Sequence, residues 1–206
     1  MKVVEIFRSM QGEGVYMGRL AIFIRFAGCN LSCPFCDEHH KYSQAKEMAI
    51  DEILEECAER DPKKQCIIVL TGGEPSIQPE IATLIKALKD KSWLVHVETN
   101  GTHLETIAGA DWITASPKGP DYKLTYEGRD YKWEDDLISE VKLVVSDDLT
   151  RDVIEKTWSA TLKPIWLQPC DGPTLEESKH RIITIMNERP NIVRAGIQLH
   201  KWYGVV

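Results

Sequence analysis

Three cysteines fall in one short segment, residues 28–36, which reads GCNLSCPFC and spaces them C-x-x-x-C-x-x-C. Thiolates are the usual holders of iron–sulfur clusters, and a tight loop can gather three of them round one cubane. Three protein ligands for four irons would leave one iron open to a small molecule. The same donors would serve a structural zinc site if His39 or His40 closed a Cys3His tetrahedron, although so compact a spacing is less usual for zinc modules. Cys57, Cys66 and Cys170 are isolated and read as small buried hydrophobes.

Residues able to contact a ligand recur downstream at the ends of apolar runs. Thr71, Gly72, Gly73, Glu74 and Pro75 follow one run, Asn100–Thr102 another, and Ser116, Pro117 and Lys118 a third. The runs cover residues 3–7, 21–26, 66–71, 94–99, 112–115, 141–145, 165–168 and 193–199, and their length and apolar content predict strands. Between them, Ile50, Ile53, Leu54 and Cys57, then Ile81, Leu84, Ile85 and Leu88, fall at i, i+3, i+4 and i+7, the spacing of a helix with one apolar face. Another helical pattern covers roughly residues 175–187.

Strands that are apolar throughout and alternate with helices predict an α/β fold, a mostly parallel sheet covered by helices. The 206 residues are fewer than the about 250 of a complete eight-fold barrel, so an incomplete TIM-type barrel is expected, in a single domain over residues 1–206. Ligands in such folds sit at the carboxyl ends of the strands. The cysteines follow the second strand and the glycine pair the third, so several strand ends converge on one rim. Residues 118–136, polar, aromatic and without periodicity, predict a long loop near the site or at a subunit contact.

A net charge of −7, from 32 acidic and 25 basic residues, offers no broad positive field for phosphate backbones and argues against a nucleic-acid partner. The opening MKVVEIFRSMQGEG lacks the apolar run of a signal peptide, and no stretch approaches the roughly 18 apolar residues of a membrane span. A cytoplasmic protein is expected. In a reducing compartment, clustered cysteines suggest metal rather than disulfides.

With an aromatic residue, Phe35, just before its last cysteine, the loop resembles the signature of the radical S-adenosylmethionine (SAM) superfamily. Gly72–Pro75 is similar to that superfamily's G-G-E-P motif. The resemblance implies the radical SAM core fold and a [4Fe–4S] cluster on Cys29, Cys33 and Cys36, whose open iron binds the amino and carboxylate groups of SAM. Within the superfamily the chain is similar over nearly its whole length to the 7-carboxy-7-deazaguanine synthase family. The markers, in order, are IFRSMQGEG (6–14), AIFIR (21–25), ETNGT (98–102), SPK (116–118), LQP (167–169) and QLHK (198–201).

That resemblance implies conversion of 6-carboxy-5,6,7,8-tetrahydropterin to 7-carboxy-7-deazaguanine with loss of ammonia, on the route to queuosine-type deazapurines. The chemistry implied is reduction of the cluster by a low-potential donor such as flavodoxin, electron transfer from the cluster that cleaves SAM, and reversible removal of hydrogen from C6 of the pterin. For SAM it implies contacts from Phe35, Cys36, Asp37, Gly73 and Glu74, and from Ser116, Pro117, Lys118 and Gln168. For the pterin it implies Met10, Gln11, Gly12, Glu13, Arg25, Thr71 and His200, with Lys201 a weaker candidate. A homodimer is expected.

The chain leaves the family's pattern at one position. Where the family reads Cys-Asp-Thr and the threonine helps to hold Mg²⁺, this sequence reads Cys36, Asp37, Glu38. A carboxylate is a hard ligand suited to Mg²⁺, so Glu38 is the candidate for that metal. Two other readings of the cysteine loop stand beside this one: an activase placing a glycyl radical on a partner protein, and a zinc-stabilised binding module without catalysis.

Overall fold

The computed structural model describes residues 1–36, 39–118, 125–126, 129–130, 136–145, 149, 153–155, 157–158 and 163–205. One nine-stranded sheet organises them. Its strands are β1 (Lys2–Met10), β2 (Leu20–Phe26), β3 (Lys46–Glu47), β4 (Ile67–Gly72), β5 (Val95–Thr99), β6 (Trp112–Ala115), β9 (Glu140–Val145), β10 (Ile165–Pro169) and β11 (Val193–Ala195). They lie in the order β11-β10-β9-β6-β5-β4-β2-β1-β3. Two further strands, β7 (Thr125–Tyr126) and β8 (Arg129–Asp130), pair antiparallel with each other, within the segment expected to be a loop.

From β2 through β4, β5, β6, β9 and β10 to β11 every pairing is parallel. β1 runs antiparallel to β2, and β3 antiparallel to β1. An open, mostly parallel sheet with helices is the architecture of a partial barrel. Parallel neighbours need long crossovers, and the helices α1 (Ile50–Arg60), α2 (Ile81–Asp90) and α3 (Leu175–Glu188) provide them.

The strands are apolar on both faces because both faces are covered. Ile22, Ile24, Phe26, Ile68 and Leu70 belong to the main core with Ile53 and Cys57 of α1 and Leu84, Ile85 and Leu88 of α2. The alternate residues Ala21, Ile67 and Val69 form a second cluster with Tyr16, Phe23 and Leu94 on the opposite face. Period-two alternation thus sends every second residue of β2 and β4 toward the helices and the others toward the face that carries the site. At the start of α1 the Glu52 carboxylate accepts the Ala49 backbone N–H at 2.6 Å, which satisfies one orphan donor of the first turn.

The run at residues 193–199 is a strand only to Ala195. The backbone N–H of Gly196 donates to the carbonyl of Leu167 at 2.8 Å, and the chain then turns into α4 (Leu199–Trp202). Gly196 packs on the Gln168 side chain, whose Oε1 a Cβ there would meet at 2.5 Å.

Candidate functional site

At the carboxyl ends of β2 and β4 two loops touch where glycines let their backbones meet. The backbone N–H of Gly73 donates to Phe26 O and that of Glu74 to Gly28 O, both at 2.8 Å. A Cβ on Gly73 would strike the Gly28 carbonyl, and one on Gly72, whose φ is +104°, would lie 2.5 Å from backbone atoms of Phe26. The glycine pair therefore lets the turn after β4 lie against the start of the cysteine loop.

Glu74 fastens the same junction. It is 1% exposed, and its carboxylate accepts from Ser76 N at 2.9 Å, Thr99 Oγ1 at 2.6 Å and Asn100 N at 2.6 Å. Of the about four lone-pair directions of a carboxylate, three are engaged within the protein. Burial nonetheless pushes its pKa up.

Cys29, Cys33 and Cys36 line one cavity of about 580 Å³. The Cys29 sulfur accepts from Leu31 N at 3.4 Å and from Asn100 Nδ2 at 3.9 Å. Burial raises the pKa of the Cys29 thiol, and also that of Cys33, which Lys118 partly offsets. Lys118 donates to Ser116 Oγ at 2.6 Å, and burial, with the Lys142 ammonium nearby, brings it down to about 8.

The inward positions of β5, β6, β9 and β10 carry a polar floor. Lys142 on β9 bonds Glu13 at 2.6 Å and also pairs with Glu98 of β5. Gln11 Nε2 donates to the other oxygen of Glu98 at 3.0 Å, and Gln198 Nε2 donates to Glu13 Oε1 at 3.1 Å. Burial opposes both charges, but the mutual pairing wins. It holds Glu98 at about 2, through Lys142 first and His96 next, and holds Lys142 above its ordinary value. A layer deeper, His96 Nε2 meets Thr114 Oγ1 at 2.8 Å, and Thr114 donates to Glu140 at 2.7 Å. Glu140 also accepts from Trp166 Nε1 at 2.7 Å and from Val15 N at 3.0 Å.

Arg25 projects from β2 between these two regions. Its Nε donates to Glu5 at 2.8 Å, and its guanidinium lies 5.5 Å from the ring centre of Phe7, which stacks on Phe23. His200 of α4 sits over Gly12, where no side chain would fit, and Leu199 N donates to Gly12 O at 3.0 Å. Burial lowers the pKa of His200 and favours its neutral form. Gln168, 4% exposed, lines the cavity, and its buried Nε2 has no acceptor among the described residues.

One cavity thus gathers most residues singled out from sequence. Met10, Gln11, Glu13, Arg25, Thr71, His200 and Lys201 line it on one side. Phe35, Gly73, Glu74, Ser116, Lys118 and Gln168 line it with the three cysteines. Gly12 and Pro117 are not among the lining residues, and Asp37 and Glu38 lie outside the described residues. Sequence reasoning left Glu98, Lys142, His96 and Glu140 without a role. Their signal was a charged or polar residue at an inward position of an otherwise apolar strand, as in VHVET and EVKLVV.

Among the described residues no three Cys, His, Asp or Glu side chains are drawn together round a single ion. A cluster spreads its thiolates over different irons, so three soft donors along one loop at a cavity wall suit such a group. The unpartnered amide of Gln168 and the cationic Lys118 and Arg25 on the same wall suit an anionic, hydrogen-bonding ligand beside it.

Residues 23–136 match the family described as the Radical SAM superfamily. The 7-carboxy-7-deazaguanine synthase of Haemophilus influenzae is 34% identical over 210 residues, covering 98% of this chain and 93% of that protein. The protein of the same name from Bradyrhizobium diazoefficiens is 34% identical over 223 residues, covering 98% of each. The crystal structure of QueE from Escherichia coli superposes with a TM-score of 0.75 at 23% identity, covering 97% of this chain and 94% of that one, which shows a shared fold.

Proposed function

Because the chain belongs to the 7-carboxy-7-deazaguanine synthase family of radical SAM enzymes, we propose that it converts 6-carboxy-5,6,7,8-tetrahydropterin to 7-carboxy-7-deazaguanine with loss of ammonia. The observation that carries this reading is the sharing of one cavity by the three-thiol loop and the Gln11–Glu98–Lys142–Glu13 floor. A cluster site alone would serve many chemistries. A floor of paired carboxylates and amides beside it suits a flat ring rich in N–H and C=O groups.

Cys29, Cys33 and Cys36 would hold the cluster, and Gly73, Glu74, Ser116, Lys118, Gln168 and the Phe35 ring would hold SAM, with Asp37 and Pro117 completing that set. Together the cluster and SAM supply, when bound, reversible one-electron removal of hydrogen from carbon. The protein's part is placement. Gln11 and Glu13 present an amide and a carboxylate to the pterin ring, and Lys142 pairs with Glu13 and keeps Glu98 ionised. Arg25, oriented by Glu5 and Phe7, faces the substrate carboxylate, while Met10, Gly12, Thr71 and neutral His200 close round the ring. The apolar layer beneath, Ala21, Ile67 and Val69, keeps water from entering under the floor.

Mg²⁺ on Glu38, a flavodoxin-type reductant, a homodimer and a cytoplasmic location complete the proposal. Among the described residues no helix is long and apolar enough to cross a membrane. The test is anaerobic incubation of the reconstituted protein with the carboxylated pterin, SAM and a chemical reductant, followed by mass analysis. Formation of 7-carboxy-7-deazaguanine and ammonia is expected. Cleavage of SAM with the pterin left intact would overturn the substrate assignment.

A further inference from the structure

Three consecutive residues at the end of β5 face three different places. Glu98 stands in the polar floor, Thr99 donates to Glu74, and Asn100 reaches into the cysteine loop. The orientation of the Asn100 amide is set by its neighbours. Its Oδ1 accepts the Thr102 backbone N–H at 3.0 Å and the Thr102 hydroxyl at 2.7 Å. A backbone N–H can only donate, so the oxygen is fixed on that side and the NH₂ group must point the other way. There Nδ2 donates to Asn30 Oδ1 at 2.9 Å and to Cys29 Sγ at 3.9 Å.

The rest of the residue is equally constrained. Its backbone N–H donates to Glu74 at 2.6 Å, its partner Asn30 donates to Thr102 Oγ1 at 2.9 Å, and the side chain is 8% exposed. The N–H dipole facing Cys29 is therefore preorganised and partly shielded from water, so it acts at low local dielectric.

We propose that Asn100 is a positioning residue that tunes the reduction potential of the iron–sulfur cluster through its hydrogen bond to the Cys29 sulfur, an inference that rests on the cluster reading given above. Hydrogen bonds to ligating sulfurs are among the determinants of cluster potential. A reduced cluster carries one more negative charge, spread in part over its thiolates, so a donor aimed at a thiolate stabilises the reduced form more than the oxidised one. The Leu31 N–H at 3.4 Å acts in the same sense on the same sulfur. Asn100 thus makes the cluster easier to reduce by a donor of limited strength.

The experiment is redox-poised EPR, with iron analysis, on the anaerobically reconstituted full chain without SAM or pterin. Asn100→Asp keeps the shape and the acceptor for Thr102 but turns a carboxylate toward Cys29. It is expected to hold as much iron as wild type, and at the poise that half-reduces wild type its ratio of reduced to oxidised cluster should be about tenfold lower, a shift of about 59 mV for one electron. Asn100→Ala should shift the same way by less, and Asn30→Ala, which removes an oxygen 4.0 Å from the Cys29 sulfur and one acceptor of the Asn100 amide but leaves both donors to Cys29, should shift less than Asn100→Ala. If Asn100→Asp alone loses iron, the Asn100→Ala curve decides. An Asn100→Ala titration superimposed on wild type overturns the proposal, as does an equal shift in Asn30→Ala. Loss of iron from both Asn100 variants would assign the residue to assembly and also overturn it. A wild-type chain that takes up no iron would instead sink the cluster reading itself.

Discussion

The carboxylate of Glu140 occupies the space that a side chain on Gly14 would fill. Gly14 sits at φ +68°, and the next residue, Val15, gives its N–H to the same carboxylate at 3.0 Å. Glu140 on β9 thereby pins the segment that presents Gln11 and Glu13. Gly14→Ala combines a left-handed backbone penalty with overpacking and should cost about 2–4 kcal/mol of stability. It should also raise the KM for the pterin without reducing iron content. Thermal unfolding and steady-state kinetics check this, and a variant with wild-type melting and KM would show that the segment is not held in this way.

Replacement of Cys29, Cys33 or Cys36 by alanine should abolish a content of about four irons per chain. Alanine at Cys57 or Cys66, both buried, should retain the iron while lowering stability by about 1 kcal/mol, and alanine at Cys170 should change neither. Tetrahedral zinc in protein purified without oxygen would refute the cluster assignment.

Arg25→Ala should weaken the pterin by about 1.5–3 kcal/mol, the cost of a lost charge-assisted hydrogen bond, and SAM far less. Because Glu5 orients the guanidinium, Glu5→Gln should reproduce a smaller part of the same loss. Calorimetric titration of both ligands decides the matter. Equal losses for the two would make Arg25 a structural residue.

The depressed pKa of Glu98 ties stability to acid. Its ordinary value is 4.5 and its folded value about 2, so its contribution is complete above the first and disappears as pH falls through the second. The difference corresponds to about 3 kcal/mol. Urea unfolding from pH 6 down to 2 should therefore show a loss in wild type that is smaller in Glu98→Gln, and parallel profiles would contradict the Glu98–Lys142 pairing.

Glu38 gives a further prediction. If its carboxylate binds Mg²⁺ in the proposed site, Glu38→Thr should keep metal-stimulated turnover and Glu38→Ala should lower both activity and apparent Mg²⁺ affinity. Turnover measured against Mg²⁺ after chelation compares the three proteins, and three flat curves would refute a metal at this position.

Much of the fold was legible because strands buried on both faces leave uninterrupted apolar runs, as in Ile67–Gly72, and because helices over the sheet repeat every 3.6 residues, as in Ile81–Asp90. The end of the last strand was not, since the apolar pattern runs on to residue 199 while the pairing with β10 stops at Ala195. The cysteine loop and the glycine pair announce themselves by composition. The polar floor does not, because Lys142 acquires meaning only when β9 brings it between Glu13 and Glu98, residues far from it in the chain.

The contacts of Gly12 with Leu199 and of Glu13 with Gln198 have a consequence for synthesis. The segment around Glu13 completes its half of the pocket only against a segment made 185 residues later. While the nascent chain is still on the ribosome, the central strands can pair and the cysteine loop can form, but the polar floor stays open until residues 198–200 have cleared the exit tunnel. A growing chain can therefore reach a form competent to take up iron before it reaches one competent to hold substrate.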